Sequence, residues 1–383
     1  MKQFISCPIR ALAALLTILP IANAQPTSSH PRVELRDAQF YRFPGVSRLD
    51  KKNAIDCNSP AVWIGSTFYL FNSYAQPYRG SGKGLLNVRF MSPSPMAGNI
   101  DGMPLSGLYV WLESVWLDER GILYGWYHYE PDDVCKPKAH LPTAPRIGAL
   151  RSKDNGASWE HLGVVIDPPP GSFRCDTPSP WDAGGHGDFS VIADRQGEYL
   201  YFLYSSYVKD PAEQGVAIAR MRIADRDAPA GKVLKWHRGG WSQPGLGGRL
   251  TPIWPSRIDW HRPNADLFWG PSVHWNTHLN TFVILMNRAV TTGMKGDGTW
   301  VSFNDELANP SGWSEPAQIL TAAQAQTAAK GANKGNAANF GWYPQVVGTA
   351  RGESDRLAGK TARYFVAGVS NKVIVFLRPG EKK

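Results

Sequence analysis

Apolar and polar positions alternate in short runs along this chain, and the runs come in pairs. The first pair is Ser59-Pro60-Ala61-Val62-Trp63 followed by Thr67-Phe68-Tyr69-Leu70-Phe71. The pattern recurs from Glu113-Ser114-Val115-Trp116 into Ile122-Leu123-Tyr124-Gly125-Trp126-Tyr127-His128. It returns from Asp188-Phe189-Ser190-Val191-Ile192 into Tyr199-Leu200-Tyr201-Phe202-Leu203-Tyr204. A fourth copy runs from Gly270-Pro271-Ser272-Val273-His274 into Thr281-Phe282-Val283-Ile284-Leu285. A fifth runs from Pro344-Gln345-Val346-Val347 into Ala362-Arg363-Tyr364-Phe365-Val366. Runs this short, rich in β-branched and aromatic residues, predict strands rather than helices.

The segments between paired runs are Gly-rich or polar, as in Gly65-Ser66, Asp118-Glu119-Arg120-Gly121 and Asp194-Arg195-Gln196-Gly197. That is hairpin chemistry. Third and fourth strands follow in most copies, for example Ile147–Ser152 and Trp159–Leu162 in the second unit. Units with one internal order, spaced by roughly 50 to 80 residues, predict radial repetition. The expected fold is all-β: a β-propeller of five blades, each of four antiparallel strands. Six blades and a β-sandwich are the alternatives. The fifth unit shows no evident later strands, so Val33-Glu34-Leu35 or Gln39-Phe40-Tyr41 is expected to supply its outer strand and close the ring. Residues 322–339, low in complexity, are expected to form a mobile loop between the fourth and fifth units. Ser152-Lys153-Asp154-Asn155-Gly156-Ala157-Ser158-Trp159 resembles the Asp-box of sialidase-type propellers. The resemblance implies a structural hairpin, with Asp154 bonding the turn and Trp159 packing on the blade, and no catalytic part for Asp154.

Composition agrees, with 15 Trp, 14 Tyr and 15 Phe beside 38 Gly and 30 Pro. Lys2 and Arg10, the apolar stretch Ala11–Ala22 and the small-x-small site Ala22-Asn23-Ala24 have the layout of a secretory signal peptide. The expectation is cleavage after residue 24, a single propeller over residues 25–383, and a secreted or periplasmic location. Removing the signal takes two basic residues, leaving 39 basic against 32 acidic, or +7. The basic residues are scattered, so neither nucleic acid nor membrane is an expected partner, and a monomer is expected. Three cysteines remain, and a Cys135–Cys175 bridge with Cys57 left over is expected, because Cys135 and Cys175 fall in loops of one rim.

In a propeller the inner strands all run the same way along the axis, so their starting ends and the loops joining second to third strands share one rim. That rim collects Asp56, Asn58, Glu113, His186, Asp188, Trp269, Tyr343 and Gln345 from strand starts. It collects Tyr74, His128, Glu130, Tyr207, Asn287 and Arg288 from second-strand ends. Aromatic faces, carboxylates and amides in one funnel suit a sugar ring. Asp56, Glu113 and Asp188 are the candidate catalytic residues. Asn58, His128, Glu130, His186, Trp269, Asn287, Arg288, Tyr343 and Gln345 are the candidate substrate-binding ones.

These residues and the repeat resemble the five-bladed glycoside hydrolases of family 43 and their relatives. The resemblance implies an Asp beginning the first inner strand as general base, an Asp in the third blade tuning the acid, and a Glu entering the fourth blade as the acid. Asp188-Phe189-Ser190-Val191-Ile192-Ala193-Asp194 is similar to the third-blade pattern, which implies the tuning role for Asp188. The first-blade position is Ser59 here, with Asp56 three residues earlier, and the fourth-blade position is Trp269. A replacement acid would come from Glu113 or Glu130. No three-arginine cluster of a sialidase site is visible. The expected function is a secreted glycoside hydrolase with a carboxylate pair in the central funnel, without cofactor or metal. The alternatives are a non-catalytic glycan-binding propeller, a protein-interaction scaffold and a lyase.

Overall fold

The computed structural model describes residues 1, 30–44, 55–73, 75–89, 91–131, 134–135, 142–332 and 336–381. Residues 2–24 of the segment expected to be a signal peptide, and Tyr74, lie outside the described residues. Five antiparallel sheets form five blades around one axis. Blade 1 contains Ala61–Ile64, Thr67–Ser73, Pro77–Gly82 and the short Ser92–Pro93. Blade 2 is Val110–Leu117, Leu123–Tyr129, Arg146–Ser152 and Trp159–Ile166. Blade 3 is His186–Ala193, Tyr199–Ser206, Gly215–Arg222 and Leu234–His237, extended by Gly240–Pro244. Blade 4 is Leu267–Asn276, Thr281–Ala289, Gly296–Asn304 and Ala317–Thr321.

Blade 5 closes the ring. Gln345–Val347, Thr361–Val366 and Val369–Leu377 come from the C-terminal part, and Arg32–Arg42 adds the outer strand. Both expected closing segments belong to that one strand, which pairs from Arg32 opposite Leu377 to Arg42 opposite Val369. The third strand, Val369–Leu377, has no counterpart in the sequence reading. Its apolar run Val373–Phe376 starts only after the polar Ser370-Asn371-Lys372, which masks where the strand begins. Closing one blade with both ends of the chain leaves no long exposed edge.

Each pair of neighbouring blades buries its own hydrophobic cluster. Phe71, Leu112 and Trp159 join blades 1 and 2, and Trp126, Phe202 and Val191 join blades 2 and 3. Ile218, Val273 and Ile284 join blades 3 and 4, Val301, Tyr364 and Phe376 join blades 4 and 5, and Phe43, Leu70 and Phe365 join blades 5 and 1. Middle strands are therefore apolar on both faces, as in Leu123–Tyr129, where every residue is buried.

Residues 322–339 are not an irregular loop throughout. Ala322–Ala328 forms α1, and Asn336–Phe340 forms α2. Thr321 caps α1 in a capping box with Gln324, and Ala325 and Ala328 are buried against blades 4 and 5. Alanine-rich sequence has high helix propensity. Seven residues are too few for a clear amphipathic period, which explains the misreading.

In the Ser152–Trp159 hairpin, Asp154 Oδ1 accepts Ser158 N at 3.0 Å and Ser152 Oγ at 2.7 Å. Gly156 takes φ +76°, and Trp159 Nε1 donates to Ser94 Oγ at 2.8 Å. Asp154→Ala is expected to lower stability by about 1 kcal/mol, read by thermal unfolding, and to leave the pocket's ligand affinity unchanged. An altered affinity would count against a purely local role.

Candidate active site

The site is organised by a break in the inner strand of blade 3. Register shifts between Gly187 and Phe189, and Asp188 between them takes φ +43°. A non-glycine residue in that region carries backbone strain of the kind that collects at functional sites. The bulge is packed from behind: a Cβ on Gly187 would meet His128 Cε1 at 2.6 Å. Ser205 Oγ donates to Asp188 O at 3.2 Å. The Asp188 carboxylate is thereby held against two phenols, Tyr207 (O–O 3.0 Å) and Tyr343 (3.3 Å). Tyr343 also has positive φ, +57°, and Asn287 Oδ1 accepts its N–H at 3.1 Å.

Beside Asp188 stands a second group of charges. His128 Nδ1 lies 3.2 Å from Glu113 Oε1, and Nε2 lies 3.5 Å from Glu130 Oε1. Glu113 Oε2 accepts Phe189 N at 2.9 Å, linking blade 2 to the bulge. Burial works against a charge on His128, but the two flanking carboxylates outweigh it and raise its pKa well above the usual histidine range. Glu113, His128 and Asp188 each offer a ligand atom within 4.8 Å of the others, a spacing that could hold a metal ion. Glu113 Oε1 faces His128 Nδ1, and Oε2 accepts Phe189 N.

The pocket at this rim is faced by Asp56, Glu130, Asp182 and Asp188, and walled by Trp111, Trp181 and Trp342. Burial, with Glu130 adding to it, raises the Asp56 pKa to about 6. Burial and then Glu113 raise that of Asp188 to about 7. Burial, with Glu130 and Asp188 adding to it, holds Asp182 well above the carboxylate range. The pocket therefore presents carboxyl groups in different protonation states near neutral pH.

Of the residues expected at the rim, Asp56, His128, Glu130, Asp188 and Tyr343 line the pocket. Glu113 is 1% exposed and sits behind His128, bonded at both oxygens. The others are framework. Asn58 Nδ2 donates to Phe189 O and Pro271 O, tying blades 3 and 4. Gln345 clamps both backbone groups of Ser59, joining blade 5 to blade 1. Trp269 lies buried, edge-on to Trp342 and Tyr343. Arg288 is paired with Asp266 and Asp297. His186 faces the Lys235 ammonium at 3.2 Å, and burial with that charge pushes its pKa well down. Cys135 and Cys175 form a disulfide, with Cα atoms 5.4 Å apart, and Cys57 is a buried thiol outside it.

The sequence reading missed Asp182, Trp111, Trp181, Met294, Asn336 and Trp342, which also line the pocket. Trp111 was legible, two positions before Glu113 on the same strand. Asp182 and Asn336 lie in segments without strand periodicity, and nothing in their neighbourhoods marks them.

No known family profile matches the sequence, and no curated protein matches it. Among solved structures, the chain is similar to a Bifidobacterium bifidum protein to which exo-β-1,3-galactanase activity is ascribed. That match has 12% identity, covers 88% of this chain and 92% of that one, and has a TM-score of 0.50. An exo-β-1,3-galactanase from Phanerochaete chrysosporium, solved with β-1,3-galactotriose, matches at 15% identity over 90% of this chain, TM-score 0.48. This chain spans only 64% of the length of that enzyme. A family 43 β-1,3-galactosidase solved with galactodeoxynojirimycin matches at 14% identity, covering 90% of this chain and 94% of that one, TM-score 0.46. At such identities the likeness is one of fold.

Proposed function

We propose that the chain is an exported glycoside hydrolase whose carboxylate pair lies in the pocket at the mouth of the ring. The observation that carries this reading is four carboxyl groups facing one tryptophan-walled pocket, with burial keeping some of them protonated. Glycosidic cleavage needs a protonated acid at the leaving oxygen and an ionised carboxylate opposite. Asp182, held protonated, gives its proton to the leaving oxygen. Asp56, ionised above about pH 6, activates water or attacks the anomeric carbon. Asp188, gripped by Tyr207 and Tyr343, tunes and orients the pair. Glu113 acts through His128 as a positioning residue, a different part from the reagent expected of it. The three tryptophans offer faces for the apolar side of a pyranose ring. The signal-like N-terminus and the disulfide support export to an oxidising compartment.

The test is turnover on aryl glycosides and polysaccharides, with β-1,3-linked galacto-oligosaccharides first because one of the similar structures holds β-1,3-galactotriose. Activity is expected to rise through about pH 6 as Asp56 ionises. It is expected to fall on the alkaline side as Asp182 loses its proton. No cleavage anywhere in the panel, with sugars binding in calorimetry, would replace this reading with a glycan-binding one.

A further inference from the structure

Arg356 lies on the turn between the first two strands of blade 5, at the end of the axis opposite the pocket. Its carbonyl accepts Trp275 N at 3.0 Å, and Leu357–Ala358 runs parallel to the end of blade 4's inner strand. From this anchor the side chain reaches three other blades. Nη2 donates to Ser114 Oγ and Nη1 to Ser190 Oγ, both at 2.7 Å, and Nη1 lies 3.4 Å from Val273 O. Each hydroxyl also accepts a backbone N–H from the next blade: Ser114 Oγ from Val191 at 3.0 Å, and Ser190 Oγ from Val273 at 3.1 Å. One guanidinium therefore spans a staircase that links blades 2, 3 and 4. Neighbouring Asp355 adds blade 1, since its Oδ1 accepts Ala61 N at 2.8 Å while Oδ2 lies 3.3 Å from Arg356 Nη1. The Arg356 side chain is only 15% exposed. Removing such a charge from water is costly; Nη1 and Nη2 are bonded here, while Nε is buried without a partner among the described residues.

The two serines adjoin the pocket machinery. Ser114 follows Glu113 directly. Ser190 follows Phe189, whose N–H holds Glu113 Oε2, and Phe189 follows Asp188. A shift at either hydroxyl reaches Glu113 or Asp188 through one or two peptide units. We propose that Arg356 is a positioning residue for the pocket, setting the spacing of the inner strands of blades 2 and 3 through Ser114 and Ser190. It does so from beneath, without touching substrate. The activity readout of this inference rests on the hydrolase reading; its structural readout does not.

Two variants and two measurements test it. Arg356→Lys keeps the charge but lacks the planar fork that bridges two hydroxyls. Ser114→Ala with Ser190→Ala removes the acceptors and leaves the arginine. Both are to be compared with the parent for kcat and KM, and for hydrogen exchange at the Val191 and Val273 amides. In Arg356→Lys, kcat is expected to fall at least about tenfold, the scale of a small misplacement of reacting groups. KM should stay within about threefold, and exchange at both amides should accelerate at least about tenfold. The double serine variant is expected to show the same kcat loss. A folded Arg356→Lys with parental kcat and parental exchange would overturn the inference. If the parent cleaves no glycoside, the hydrolase reading fails by itself. The His128 ring resonance then reports the pocket geometry: a shift in Arg356→Lys upholds the positioning role, and an unmoved resonance ends it.

Discussion

Asp188→Asn is expected to lower turnover at least about 100-fold, the scale of losing a positioned acid or base, while making the protein more stable above neutral pH. The activity arm follows from the two phenols and the bulge that aim this carboxylate into the pocket. Asparagine tolerates positive φ, its Oδ1 accepts from one phenol and its NH2 can donate to the other hydroxyl oxygen, so the local structure should survive. The stability arm follows from titration. The folded-state pKa, about 7, lies above the ordinary 3.8. The proton therefore favours the folded state. Its stabilisation is complete below about pH 4 and is lost as pH rises to about 7. That loss is on the order of 2–4 kcal/mol in the parent, and the non-ionising amide avoids it. Asp182→Asn should behave in the same direction, since burial also raises that carboxyl group. The measurements are kcat on a cleaved glycoside and thermal unfolding at about pH 5 and pH 8. Turnover within about threefold of the parent in both variants would remove these carboxylates from the chemistry. A variant less stable than the parent at pH 8 would show that Asp188 ionises freely in the folded state.

Replacing Cys135 and Cys175 together by serine is expected to cost about 4 kcal/mol of stability. The bridge spans a sequence separation of 40. Closing a loop of that length removes about this much free energy from the unfolded chain's entropy. The loop contains the two outer strands of blade 2, and the bridge ties them to the segment leading into blade 3. Glu130 lies five residues before Cys135, and Asp182 lies seven after Cys175. Freeing the loop should therefore also raise KM, because both carboxylates face the pocket. Thermal unfolding and KM on a cleaved glycoside check the two arms. Unchanged unfolding would mean that neighbouring contacts already hold these segments.

Much of the ring was readable because its signals are local. A strand pair with a polar turn is written in about a dozen consecutive residues, and its repetition around Val62, Val115, Val191, Val273 and Val346 needs no tertiary knowledge. The shared rim followed from topology, since parallel inner strands must start at one end. That placed Asp56, Glu130, Asp188 and Tyr343 near one another before any coordinates. The division of labour among those residues was not local. Glu113 and Asp188 both lie in the first half of inner strands, yet one is sealed behind His128 and the other faces the pocket, because a single bulge turns Asp188 inward. Asp182, Trp342 and Asn336 reach the pocket from segments without β periodicity, carried there by packing against blades far away in sequence. Arg356 looks like any turn arginine until the inner strands of three other blades close around it. Sequence alternation determined which residues would be strands and which rim they would share. Burial and charge at that rim depend on which distant groups finally meet, and only the closed ring decides that.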